Sequence, residues 1–268
     1  MPSSVESAAA AAREAFQEKM SAMSFLEHLE ELRKRIIWSI IAVAIAFFVC
    51  WNFAEKIYGY MQEPIMQALQ RNHLEQKLVY LNPTEPFNMY MKIGLIAALF
   101  VASPFVLYQL WAFVAPGLYK REKRYVLPFM VLSVGLFLGG GFFGYKVVYP
   151  AALDFLINYG KQFQPMITIG EYTDLFLTII IGLGVVFEMP ILVFFLALIG
   201  IVSPGWMWRN FRYSILAIFV VAAILTPTTD IMNMCVFAAP MILLYLISIG
   251  VAWMVHPRRR RAKAESES

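Results

Sequence analysis

Apolar residues occur along this chain in long continuous runs rather than in alternation with polar residues. Six such runs, separated by polar segments, lie at 36–54, 87–115, 125–145, 175–200, 213–226 and 231–255. A helix of about 20 apolar residues crosses the ~30 Å hydrocarbon layer of a bilayer, whereas membrane strands would alternate. The pattern therefore predicts an all-α, polytopic membrane protein with six transmembrane helices.

The fifth run is shorter than the others and ends at Pro227. Its about 14 residues give a helix of ~21 Å, which stops roughly 9 Å short of the far side if Arg209 and Arg212 hold one end at the interface. Asp230 would then lie below the membrane surface, where a carboxylate needs protein or water beside it. We expect a locally thinned or hydrated bilayer and a concave face there.

The basic residues fall mainly on one side of the predicted membrane. Six crossings place both chain ends together, and 16 of the 22 Lys and Arg residues lie on that side. This bias predicts that both termini are cytoplasmic. We expect a mobile N-terminal tail at 1–22, a transmembrane domain at 23–255 and a basic C-terminal tail at 256–268. The polar N-terminal segment resembles neither a signal peptide nor a transit peptide, which favours a bacterial inner membrane.

Composition excludes a soluble domain and gives no sign of enzyme chemistry. The chain is 60% hydrophobic, with a mean hydropathy of +0.64, too apolar for 268 residues to bury internally. The net charge of +4 reflects its uneven distribution, so we expect a lipid bilayer and no nucleic acid as a partner. The histidines have no metal-ligand spacing and there is no nucleophile motif. We therefore expect no cofactor, no metal and no enzymatic activity.

A glycine-rich stretch at 139–144 matches the pattern GxGxxG of dinucleotide-binding loops. It lies inside an apolar run rather than between a strand and a helix, which argues against that interpretation. Small residues four apart instead allow close helix packing. We expect it for the pairs Gly135/Gly139 and Gly140/Gly144.

Glu188 is an acidic residue inside the fourth apolar run, followed closely by Pro190. It lies about 13 residues from either end of that run, where an ionised side chain costs at least ~2.5 kcal/mol. Two interpretations remain open: a protonated structural residue bonded to a neighbouring helix, or a polar site facing a groove or a partner helix. Glu188 and Asp230 together also leave open a proton- or ion-coupled secondary transporter, although the two halves of the chain show no internal repeat.

A charged helix precedes the first run. Its pairs Glu30/Lys34 and Glu31/Arg35 stand four residues apart and support a helix at the water interface. Taken alone, these acids form an ordinary solvated face. Glu122, the only acid in the basic turn after the second run, would by itself form a weak loop salt bridge.

Four motifs combine these features in one order along the chain. They are HLEELRKR at 28–35, YQLWAFVAPGLYKREKR at 108–124, FEMP at 187–190 and TPTTD at 226–230. Over about 23–255 the chain resembles the TatC family, the receptor subunit of the twin-arginine protein translocase. The resemblance implies six spans with a cupped shape, short fifth and sixth helices, and proton-motive-force-driven export of folded proteins.

The resemblance also implies a site for signal peptides that carry paired arginines. Carboxylates bind guanidinium groups in a directional, forked geometry. Glu31 and Glu122 are the acids implied for the two arginines. Other residues implied at this site are Arg33 and Arg35, which would orient Glu31, Phe113 as an apolar wall, and Lys120 among the bases that exclude poorly fitting ligands.

Partner proteins are implied as well. In this family the single-span proteins TatA and/or TatB associate with the receptor, and self-association in a receptor complex is expected. A polar residue of a partner helix would then satisfy Glu188 within the membrane. The implied intramembrane groove comprises Pro64, Glu188, Pro190, Thr226 and Asp230.

Overall fold

The structure is a computed structural model that describes the backbone of residues 4–114, 126–163, 165–225 and 231–267. It describes side chains over 27–113, 128–163, 165–197, 200–224, 231 and 234–254. Four predicted site residues lie outside the described residues: Lys120, Glu122, Thr226 and Asp230.

The described part of the chain is helical, which confirms the all-α prediction. One isolated parallel bridge pairs Val79 with Thr168. A π-helical segment at Gly144–Val148 joins two of the helices. The α-helices are α1 Ser4–Trp51, α2 Ala54–Met61, α3 Glu63–Arg71, α4 Glu85–Val114, α5 Val126–Phe143, α6 Tyr149–Tyr159, α7 Ile169–Val186, α8 Met189–Ile199, α9 Pro204–Arg209, α10 Phe211–Leu225 and α11 Ile231–Glu267.

Among the described residues, five helical segments are long and apolar enough to cross a membrane. They are Glu27–Trp51, Glu85–Phe113, Pro128–Tyr159, Ile169–Ala197 and Met234–Met254. The shorter apolar helix Phe211–Ile224 corresponds to the fifth predicted span. The multi-pass architecture predicted from hydropathy is therefore confirmed.

The lengths of the last two spans differ. Helix α10 has 15 residues, or about 22 Å, as predicted for a short fifth span. The expectation of a short sixth span is wrong, because Met234–Met254 contains 21 residues and reaches ~31 Å. Helices α1 and α11 continue through most of the predicted terminal tails, whose mobility remains a prediction.

The segment 55–85, whose prolines and mixed charges predict a long polar loop, contains helices α2 and α3. Met61, Ile65 and Leu69 recur every four residues and are at most 2% exposed, because they form one apolar face against the main core. The amphipathic run at 151–159, whose pattern predicts a short helix lying on the outer surface, is helical as part of α6. Helix α6 continues α5 through the π-helical segment and packs against α3.

Close approach of α5 to α7 depends on particular glycines. A Cβ atom at Gly140 would lie 2.6 Å from the Leu183 carbonyl oxygen, and one at Gly144 would lie 3.2 Å from Ile180. The Gly140/Gly144 pair therefore packs closely, as predicted. A Cβ atom at Gly135 or Gly139 would meet no atom of another helix within 4 Å, so the same prediction is wrong for that pair within the described chain.

Pro104 lies inside α4, where a proline cannot donate to the carbonyl of the residue four before it. The hydroxyl of Ser103 donates to that carbonyl, on Phe100, at 2.7 Å. The acceptor that Pro104 leaves unpaired is thus satisfied within the helix, as an apolar environment requires.

Candidate functional site

The first candidate site, here called the rim site, lies where α1 packs beside the last turn of α4. Arg35 donates from Nε and Nη2 to Oε1 of Glu31, at 3.0 and 2.6 Å. Its Nη1 donates to Oε1 of Gln109 at 3.2 Å. The Glu31/Arg35 pair forms within α1 because its members are four residues apart, and Gln109 ties it to α4. Glu31 is therefore held in place while 34% of its side chain remains exposed.

The second carboxylate oxygen of Glu31 is less engaged. Nδ1 of His28 lies 3.8 Å from Oε2, beyond hydrogen-bonding distance. The His28 ring stacks on Phe113, with ring centroids 4.3 Å apart and an angle of 13° between the planes. Phe113 thus forms an apolar surface beside the acid. Oε2 keeps unused acceptor capacity among the described residues.

The neighbouring bases differ in what they touch. Lys34 pairs with Glu30 at 3.4 Å, and both side chains are largely exposed. Arg33 is exposed and makes no contact with Glu31 among the described side chains. Of the two arginines expected to orient Glu31, Arg35 alone does so here. The place of Glu122 relative to Glu31 stays a prediction, because Glu122 lies outside the described residues.

The second candidate site, here called the Glu188 chain, consists of Trp111, Ser133 and Glu188. Nε1 of Trp111 donates to Oγ of Ser133 at 2.8 Å. Oγ of Ser133 donates in turn to Oε2 of Glu188 at 2.6 Å. An indole N–H can only donate, so Ser133 accepts from Trp111 and keeps its own proton to donate to the carboxylate of Glu188. The Glu188 chain therefore provides one hydrogen bond to the carboxyl group of Glu188.

The other oxygen of Glu188, Oε1, is buried and has no partner among the described residues. A small apolar cluster surrounds it, in which the Trp111 ring stacks on Phe195 with ring centroids 4.4 Å apart. A buried polar atom without a hydrogen bond costs free energy. Glu188 thus has one satisfied oxygen and one that an added donor would stabilise.

A break in the fourth span places Glu188 between α7 and α8. Pro190 stands in the first turn of α8, where a proline is compatible with a helix start but cannot continue α7. The backbone N–H groups of Ile191 and Leu192 donate to the Glu188 carbonyl at 3.1 and 3.0 Å. The backbone around the break is therefore largely satisfied within the protein.

The depth of Glu188, expected near mid-membrane from its place in the apolar run, stays a prediction. Its partner Ser133 lies seven residues, or about 10 Å, after the start of α5 at Val126, and Trp111 lies three residues before the end of α4 at Val114. Glu188 is thus nearer the end of the bundle where α4 ends and α5 begins.

The predicted groove residues do not all come together. Pro190 is buried beside Glu188. Pro64 is buried in α3, which packs against α6 at the opposite end of the α5–α6 helix from Ser133. The implied grouping of Pro64 with Glu188 is therefore not formed. Thr226 and Asp230 fall outside the described residues.

Several contacting residues were not identified from sequence. Gln109 and Ser133 are polar residues within apolar runs, which is the only signal the sequence offers for them. Lys92, a base inside the second apolar run, pairs with Asp174 at 2.5 Å across α4 and α7. Among the described residues, no group of three His, Cys, Asp or Glu side chains could hold a metal ion.

Comparison with known proteins points to one family. The model for the family "Sec-independent protein translocase protein (TatC)" matches residues 27–240. The chain is 74% identical over 251 residues to the TatC protein of Koribacter versatilis, covering 94% of this chain and 93% of that protein. It is 37% identical over 237 residues to TatC of Carboxydothermus hydrogenoformans, covering 88% of this chain and 95% of that protein.

A solved structure agrees with these relatives. The crystal structure of the twin arginine translocase receptor TatC superposes with a TM-score of 0.76 at 35% identity, over 85% of this chain and 99% of that one. Sequence and fold thus match along nearly the whole length of the relatives. The chain belongs to the TatC family of Sec-independent protein translocase proteins.

Proposed function

We propose that this chain is the receptor subunit of a twin-arginine translocase and binds the signal peptides of folded cargo proteins through its rim site. The observation that carries the proposal is Glu31, a partly exposed carboxylate held by Arg35 and Gln109, with a free oxygen beside the Phe113 ring. Its relatives are named as Sec-independent translocase proteins. The similar solved structure is named as the twin arginine translocase receptor.

The chemistry of the rim site suits an arginine. A guanidinium group is planar and donates two parallel N–H bonds, which match a carboxylate better than an ammonium group does. One signal arginine binds Glu31 and packs its flat face against Phe113. The second binds Glu122, with Arg33 and Lys120 restricting access to ligands of the right geometry.

The Glu188 chain receives a partner helix. Oε1 of Glu188 is buried and unpartnered among the described residues, so a donor on a single-span partner such as TatA or TatB would complete its hydrogen bonding. Several receptor copies assemble with these partners to carry out proton-motive-force-driven export. Pro190 fixes the helix break that presents the carboxyl group.

The proposed location is the bacterial inner membrane, with both termini cytoplasmic, because most Lys and Arg residues fall on that side. The transmembrane domain spans 23–255, between two cytoplasmic tails, with a cupped face near Thr226 and Asp230. The transporter alternative is not supported, since the relatives are translocase proteins.

Binding of a twin-arginine signal peptide to the purified full-length chain tests the proposal. Glu31→Gln should weaken binding by about tenfold or more, because a charged hydrogen bond is lost. Glu30→Gln is the matched control: it removes the same charge one residue away, from a side chain that is 64% exposed and pairs only with Lys34 among the described residues. Equal affinity of wild-type and Glu31→Gln protein would refute the assignment.

A further inference from the structure

The resident partner of Glu31 is itself a guanidinium group. Two N–H groups of Arg35 converge on one oxygen, Oε1, and a third reaches Gln109 on the neighbouring helix. The Arg35 side chain is only 24% exposed. A partner four residues away on the same helix is always within reach. An incoming ligand therefore meets a carboxylate whose charge is already neutralised.

Neutralisation of the Glu31 charge affects the binding of lysine and of arginine side chains differently. An ammonium group is a compact point charge, attracted mainly by net charge, whereas a guanidinium group gains much of its binding from directional hydrogen bonds. The Glu31/Arg35 pair has little net charge to attract an ammonium group. Oε2 of Glu31 nevertheless remains a free acceptor, with His28 3.8 Å away, and can accept an N–H from a planar fork.

We infer that Arg35 is a specificity-determining residue of the rim site: by holding Oε1 of Glu31, it makes the site discriminate arginine from lysine in a ligand. This inference rests on the proposed function, since it requires Glu31 to contact a cation of the ligand. Gln109 supports the role because it anchors Arg35 to α4, so the neutralising charge stays in place.

The test measures the affinities of a twin-arginine signal peptide and its twin-lysine variant for the full-length chain in lipid nanodiscs. Arg35→Gln exposes a bare carboxylate, so binding of the twin-lysine peptide should rise more than that of the twin-arginine peptide. The ratio of the two affinities should fall by about fivefold, the upper range for a partly exposed ion pair.

Two further variants serve as controls. Lys34→Gln removes the same charge from the adjacent position but leaves the Glu31/Arg35 pair intact. Arg35→Lys keeps a positive charge beside Oε1 and loses the guanidinium fork together with its bond to Gln109. Both should keep the affinity ratio within about twofold of wild type.

An unchanged or larger ratio in Arg35→Gln overturns the inference, as does an equal fall in Lys34→Gln or Arg35→Lys. Glu31→Gln separates this outcome from failure of the proposed function. If Glu31→Gln binds both peptides at wild-type strength, the proposed function fails. If Glu31→Gln loses peptide binding while Arg35→Gln keeps the wild-type ratio of the two affinities, only the inferred role of Arg35 fails.

Discussion

Single hydroxyl and carboxyl groups determine how the second candidate site is built. The hydroxyl of Ser133 accepts from Trp111 and donates to Glu188, so it joins α4, α5 and the start of α8. An apolar residue at 133 would leave both partners without a bond. The polar residue at this position is therefore explained by its two neighbours rather than by exposure, since Ser133 is 0% exposed.

The proposed partner contact predicts a selective effect of Glu188→Gln. The amide oxygen of glutamine still accepts from Ser133, so the fold is retained, but the side chain no longer offers a carboxylate to a partner. Recovery of TatA- or TatB-type partners with the purified receptor should fall by about tenfold, the range for a hydrogen bond to a charged group. Binding of the twin-arginine peptide should be unchanged.

Glu171→Gln is the control for this prediction, because Glu171 lies on the same span but in the first turn of α7 and is exposed. It should leave partner recovery at the wild-type level. The opposite pattern in Glu188→Gln, normal partner recovery with lost peptide binding, would contradict the assignment of this site.

Among the helices, the contact of α5 with α7 is the one most sensitive to a small change. Gly140→Ala would place a methyl group 2.6 Å from the Leu183 carbonyl and 2.8 Å from the Phe187 ring. The helices must separate to accept it, at a cost of about 1–3 kcal/mol. The unfolding midpoint in detergent should fall by several degrees.

Gly139→Ala provides the matched control, because a Cβ there meets nothing within 4 Å. Alanine also favours a helix over glycine. Its unfolding midpoint should equal or slightly exceed that of the wild type. Equal destabilisation by both variants would contradict the prediction, because only a Cβ at Gly140 meets α7.

Hydropathy predicted the spans well because continuous apolar runs have one stable arrangement in a bilayer. It failed where shorter apolar faces pack on other helices. The face made by Met61, Ile65 and Leu69 is interrupted along the sequence by polar residues, so the hydropathy pattern there predicted a loop. The join between α5 and α6 was missed because Lys146 and Pro150 suggested an end to the span, although a proline is tolerated in the first turn of α6.

Across the whole molecule, the charge bias predicts which ends face the cytoplasm. After replacement of Cys50 and Cys235, the variant Tyr159→Cys should react with a membrane-impermeant maleimide in intact cells, because Tyr159 is 82% exposed at the end of α6. A cysteine at 264, in the basic tail, should react only after the inner membrane is opened. Labelling of both positions from the same side would contradict six crossings.

The rim site and the Glu188 chain could be predicted only partly from the sequence. The Glu31/Arg35 pair follows from spacing on one helix, which sequence displays directly. The contacts of Gln109 with Arg35 and of Ser133 with Glu188 join residues 74 and 55 positions apart, so they depend on how helices pack. Family resemblance named Phe113, but its stacking on His28 required the structure.

The 15-residue length of α10 affects the lipids as well as the protein. A helix of about 22 Å is shorter than the ~30 Å apolar layer, and the difference must be met by compressed or tilted acyl chains. Lipids with shorter tails fit this side of the molecule with less distortion. The acyl-chain composition of the host membrane therefore sets part of the energetic cost of placing this protein in it.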